Sequence, residues 1–150
     1  ALSVPLNPSR AGNGCLKTIP GSHKKGALSH WSEGKYALNC NACMTEETVA
    51  LAEFDEADPG DVLAHHGLVV HGSEANLSDE IRTTLIVQYA AADAFAYTAP
   101  VIDSIHRNDM VRGEAATHAR VEAGVIELPP DFSQGYGSIF SHQEGAAKAS

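Results

Sequence analysis

Along residues 1–90, apolar and polar positions alternate in short bursts, each closed by glycine, proline or asparagine. Leu2, Val4 and Leu6 are spaced two apart, as in a strand with one face in a core. Residues 7–14 hold Pro8, Gly12 and Gly14 and read as a loop. Residues 15–19 form a second strand candidate, ended by Pro20 and Gly21. Residues 24–47 are polar, irregular and carry the single tryptophan, Trp31. Residues 49–54 alternate again and read as a strand leading into the turn Asp58-Pro59-Gly60-Asp61. Val62-Leu63-Ala64, then Leu68-Val69-Val70 beyond Gly67, then residues 83–89 read as strand, turn, strand, loop, strand. After Tyr89 the pattern dissolves. Residues 90–97 are alanine-rich and fit either a strand end or a helical turn. Residues 114–123 fit a short helix, Pro129-Pro130 breaks the chain, and residues 131–150 read as a loosely ordered terminus. Short strands between Gly/Pro turns predict a mainly β sandwich or barrel. About five strands fall short of the roughly eight in a complete jelly roll.

Composition narrows the function classes. At 150 residues and 43% hydrophobic, the chain has one domain's length and enough apolar side chains for a core. A net charge of −9 argues against a nucleic-acid or anionic-membrane surface. No apolar run approaches membrane-spanning length, and residues 1–10 lack the basic and apolar segments of a signal peptide. The odd cysteine count, Cys15, Cys40 and Cys43, gives no disulfide framework and fits a reducing cytoplasm. Cys40 and Cys43 have CxxC spacing, but no second pair completes a structural zinc site, so they read as incidental thiols.

Residues 59–89 concentrate the candidate chemistry. His71 leaves an apolar run at Gly72, and Ser73 follows two residues on, facing the same side of an extended chain. Arg82 opens the next strand and comes close to both if the two strands are paired or near neighbours. A histidine can ligate a metal. Arginine holds a carboxylate with a planar fork of donors, and serine adds another. The three are therefore expected to line one concavity.

This stretch resembles the distal half of the phytanoyl-CoA dioxygenase family, which are iron(II)- and 2-oxoglutarate-dependent oxygenases. The residues that carry the likeness are Gly60-Asp61, His71-Gly72-Ser73, Asn76, Ser78-Asp79 and Arg82. The eleven-residue step from His71 to Arg82 matches the family's spacing from distal iron ligand to 2-oxoglutarate arginine. A second signature lies upstream, Asn13-Gly14-Cys15-Leu16 followed by Ile19-Pro20-Gly21-Ser22-His23-Lys24. The resemblance implies a partial double-stranded β-helix, the cupin-like jelly roll, over residues 1–100, with residues 101–150 an irregular or short-helical extension. It implies His71 as a metal ligand for Fe(II), Arg82 and Ser73 as binders of 2-oxoglutarate, and hydroxylation of a small organic or acyl substrate. Some relatives halogenate instead.

An iron site of this type takes two histidines and a carboxylate. In the family the other two ligands form a His-x-Asp pair, which would lie upstream of residue 1. The chain is thus expected to be the C-terminal part of such a domain, inactive by itself. It would be poorly stable as a monomer and prone to self-association through unpaired strands. The His142-Gln143-Glu144 triplet has the wrong order for a substitute and sits in a glycine-rich tail. His65 and His71 would stand about 20 Å apart in one straight strand. His66 approaches the site only if the chain turns at Gly67. His23 and His30 fall near the mouth by resemblance. Two rivals remain: a non-catalytic β-barrel module that binds a small carboxylate or a protein, and a cupin-like metal hydrolase or isomerase.

Overall fold

The computed structural model describes residues 1–102, 104–121 and 123–133. It is mainly β. Among the described residues it has eight strands: β1 (Leu2–Pro5), β2 (Leu16–Thr18), β3 (Trp31–Ser32), β4 (Lys35–Tyr36), β5 (Glu53–Asp55), β6 (Leu63–Ala64), β7 (His71–Ser73) and β8 (Thr84–Val87). One α-helical turn, α1 (Glu46–Val49), accompanies them. Two compact units result: Ala1–Ala27 with Met44–Tyr89, and Leu28–Cys43 with the described part of Ala90–Ser150.

The first unit holds two open three-stranded antiparallel sheets, ordered β6-β1-β8 and β5-β2-β7. In β1 the buried positions are Ser3 and Pro5, while Leu2 and Val4 are half-buried and Leu6 is 55% exposed. The alternation located the strand but misassigned its covered face. Small side chains on a middle strand are overlain by their neighbours, and longer ones project past them. Pro5 is tolerated because of the bonding alternation along the strand. The Leu6 N–H bonds Thr83 O, and the Ala1 O accepts from the His65 N–H. Odd positions of β1 therefore bond toward β6 and even positions toward β8. The missing N–H of Pro5 falls on the β6 side, where β6 pairs only Leu2 and Ser3.

Three other sequence expectations change. The run Leu68-Val69-Val70 is a turn, not a strand. The Val69 N–H closes onto His66 O, the Leu68 N–H bonds His66 Nδ1, and the Val70 N–H goes to Ser22 Oγ. Pairing starts at His71. Residues 49–54 do not form one strand, because Thr45 caps a helix there. Its hydroxyl accepts the Thr48 N–H, and Glu46 and Glu47 favour the positive N-terminal end. The strand waits until Glu53. Residues 114–121 and 123 are irregular rather than helical, since an uncapped segment this short is marginal without packing. Residues 90–97 form turns, one closed by the Ala94 N–H onto Ala91 O.

In the second unit β3 and β4 make a hairpin that the sequence pattern did not announce. Glu33 and Gly34 both take positive φ, 49° and 74°, as a type I′ turn requires. Trp31 and Tyr36 pair across it, edge to face at 5.3 Å, and Tyr36 approaches the Phe132 ring at 6.0 Å. The Trp31 Nε1–H donates to Leu128 O at 3.1 Å. Among the described residues the buried apolar side chains are few: Cys15, Ile19 and Ala57 in the first unit, Ala37 and Phe132 in the second. Phe54, Leu85 and Ile86 lie on edge strands and are more than half exposed. All three cysteines are free. Among the described residues no helix is long and apolar enough to cross a membrane.

His30, in the second unit, carries a pH dependence. Burial pushes its pKa below the ordinary 6.5, and Glu127 opposes the shift. The unfolded chain therefore takes up the proton first as pH falls. The contribution to stability is whole above pH 6.5 and is lost as pH drops toward the lower native value. Denaturant midpoints should fall between about pH 7 and about pH 5. His30→Gln should flatten part of that fall, as urea titrations of both proteins at several pH values would show.

Candidate functional site

The site is built on the loop before β2. Asn13 is 3% exposed and ends a short 3-10 turn, Ala11–Asn13. Its Oδ1 accepts the Arg10 N–H at 2.8 Å, and its Nδ2 donates to Pro8 O at 2.9 Å. Both ends of the amide are thus used, which holds the loop to one shape. Gly14 follows with φ +76°, and a Cβ there would lie 2.5 Å from Glu74 O. Only glycine allows this approach. Cys15 comes next, fully buried. Burial pushes its thiol up, Glu56 and Asp55 add to the shift, and the charge of Arg82 opposes it.

Arg82 meets this loop, and Ser73 lies across from the strand that continues it. Ser73 ends β7, opposite Leu16 of β2, and the next residue is the Glu74 that touches Gly14. Lys17 and Glu74 add an exposed ion pair at 2.9 Å across the same strands. Arg82 is half-buried, and its Nε–H donates to Asn13 O at 3.2 Å. Strands β7 and β8 are not paired: β7 lies against β2 and β8 against β1, in different sheets. Arg82 is joined to the Asn13-Gly14 loop, and Ser73 to the β2 strand that follows it.

His71 opens β7, opposite Thr18, and is exposed. Its Nδ1 lies 2.8 Å from Val69 O. A carbonyl only accepts, so Nδ1 is the donor here, and Nε2 is the nitrogen left for another partner. The ring centroid of His71 is 4.9 Å from that of His65. The straight-strand separation does not apply, because the chain reverses at Gly67. The same turn brings His66 to 5.4 Å from His23. Burial pushes the pKa of His65 down, His71 and the amino terminus act in the same direction, and Asp55 opposes them.

A cavity of about 280 Å³ lies in this unit, lined by Thr18, Asp55, His65, His66 and His23 among others. His71, Ser73 and Arg82 are not among its lining residues; His71 adjoins it through His65. Asp55 Oδ2 and His65 Nδ1 are buried without a hydrogen-bond partner. Among the described residues no group of three His, Cys, Asp or Glu side chains is placed to hold a metal. His142 and Glu144 lie outside the described residues. Sequence reasoning discounted His65 on distance, although Gly67 was the signal that would have placed it. Asn13 enters the sequence motif without a role of its own, and no local pattern announces its contact with Arg82.

The family described as Phytanoyl-CoA dioxygenase (PhyH) matches residues 1–84, more than half of the chain. The chain belongs to the phytanoyl-CoA dioxygenase family. It is similar to a probable phytanoyl-CoA dioxygenase of Caenorhabditis elegans, 33% identical over 57% of this chain and 28% of that protein. It is also similar to a probable alpha-ketoglutarate-dependent hypophosphite dioxygenase of Stutzerimonas stutzeri, 28% identical over 95% of this chain and 51% of that protein. A phytanoyl-CoA dioxygenase domain-containing protein 1 homolog of Caenorhabditis briggsae is 35% identical over 53% of this chain and 30% of its own length. The chain therefore spans about half or less of these relatives. No solved structure matches it.

The Gly14 approach gives a direct test. Gly14→Ala forces a Cβ toward Glu74 O in a left-handed backbone and should cost at least about 2 kcal/mol. Gly12→Ala, with nothing within 4 Å, should change stability far less. Chemical denaturation of the two variants reads the difference.

Proposed function

We propose that this chain is part of an Fe(II)- and 2-oxoglutarate-dependent oxygenase, with His71 on the metal and Arg82 and Ser73 on the cosubstrate carboxylate. Residues 1–100 form the C-terminal part of its jelly-roll domain, and residues 101–150 are an extension of the same domain. The observation that carries the reading is the His71 ring. Its Nδ1–H is held by Val69 O, so Nε2 is the nitrogen available to a metal. Bound iron would supply the redox chemistry by which dioxygen gives one oxygen atom to succinate, formed with CO2 from 2-oxoglutarate, and the other to a C–H bond. The protein's own part is to bind and orient. Arg82 offers a carboxylate its planar fork of donors, and the Ser73 hydroxyl donates beside it. The cavity next to His65 has the volume of a small substrate. The dependence on alpha-ketoglutarate in the name of the Stutzerimonas stutzeri relative supports the choice of cosubstrate.

His71 is one ligand of the three that such a centre needs. Iron binding by the 150-residue chain alone should therefore be weak, and succinate formation undetectable. Calorimetric titration with 2-oxoglutarate should show binding that Arg82→Gln weakens about tenfold or more. Undiminished binding by that variant would sink the carboxylate role.

The exposed apolar side chains of β5 and β8 also support self-association through sheet edges. Light scattering should find species larger than a monomer, and a clean monomer with a sharp thermal melt would count against it.

A further inference from the structure

We infer that Asn13 is a positioning residue for the cosubstrate, acting through Arg82. The inference rests on the carboxylate role of Arg82 proposed above. A guanidinium can take a carboxylate in two bidentate ways, side-on through Nε and one Nη or end-on through Nη1 and Nη2. Here the Nε–H is already given to Asn13 O. The side-on edge is occupied and the end-on edge is left. Neither Nη makes a hydrogen bond or ion pair among the described residues.

The acceptor does not drift, for three independent reasons. Asn13 is almost fully buried. Its amide is bonded at both ends, to the Arg10 N–H and to Pro8 O. The next residue, Gly14, is pinned against Glu74 O at a positive φ that fixes the direction of the peptide. The loop therefore sets the plane of the Arg82 guanidinium before any ligand arrives. Preorganisation of this kind strengthens binding by removing the cost of ordering a long side chain.

A merely structural bond between Arg82 and Asn13 would predict no particular mode of ligand contact, so the mode is the test. In arginine side-chain nitrogen–proton spectra of the full chain, 2-oxoglutarate should move the Arg82 Nη signals. The Nε–Hε signal should stay in place. Asn13→Ala should shift that Nε–Hε signal without ligand and weaken 2-oxoglutarate binding about tenfold. Movement of Nε–Hε on titration as large as that of Nη would overturn the end-on assignment. Unchanged affinity in Asn13→Ala would overturn the positioning role while leaving the carboxylate reading intact. Silence of every Arg82 signal in the unsubstituted chain would overturn both. Should Asn13→Ala fail to fold, the unsubstituted spectra decide alone.

Discussion

The first unit depends on one close approach of backbone to backbone, Gly14 against the carbonyl of Glu74. A few tenths of an ångström of extra room would admit other geometries, but a Cβ would need far more than that. The contact fixes where β2 begins relative to the end of β7, and so sets the pairing of Leu16 with Ser73 and Thr18 with His71. It also places the Asn13 carbonyl within reach of Arg82. The Lys17–Glu74 ion pair spans the same strands, but both partners reach solvent, and exposed pairs contribute little. The buried amide bonds of Asn13 and the glycine's steric fit outweigh it.

Around that contact the candidate groups are held by different partners. Arg82 bonds the Asn13 carbonyl, and Ser73 stands opposite Leu16 of β2. His71 instead belongs with His65 beside the cavity, brought there by the Gly67 reversal. His71 and Ser73 stand at the two ends of one short strand, β7. An edge strand of three residues with exposed side chains is open on its outer side.

The sequence made the turns most legible. Asp58-Pro59-Gly60-Asp61 closes as read, with the Asp61 N–H on Asp58 O and Asp61 Oδ2 accepting the Asp58 N–H. The mainly β class was legible too, because short alternating runs between glycines have few other solutions. Less legible were the elements that depend on a single side chain. Thr45 converts an apparent strand into a helical turn, and Glu33 adopts a positive φ that its residue type does not favour. Contacts that span long separations were invisible to periodicity. Asn13 and Arg82 are joined across 69 positions, and only the folded chain brings them together. The family motifs named those residues without saying why they belong together.

Pro5 carries a consequence for how the β6-β1-β8 sheet can assemble. Its ring sits one step beyond the last rung that β6 makes, on the side where a further rung would need a donor. Sliding β6 along β1 by two residues would keep every side chain on its own face, so burial alone does not forbid the slip. The proline does, because the shifted carbonyl would meet carbon instead of a proton. One residue thus acts as a stop on registry, rejecting the alternative that the hydrophobic pattern leaves nearly equal in energy.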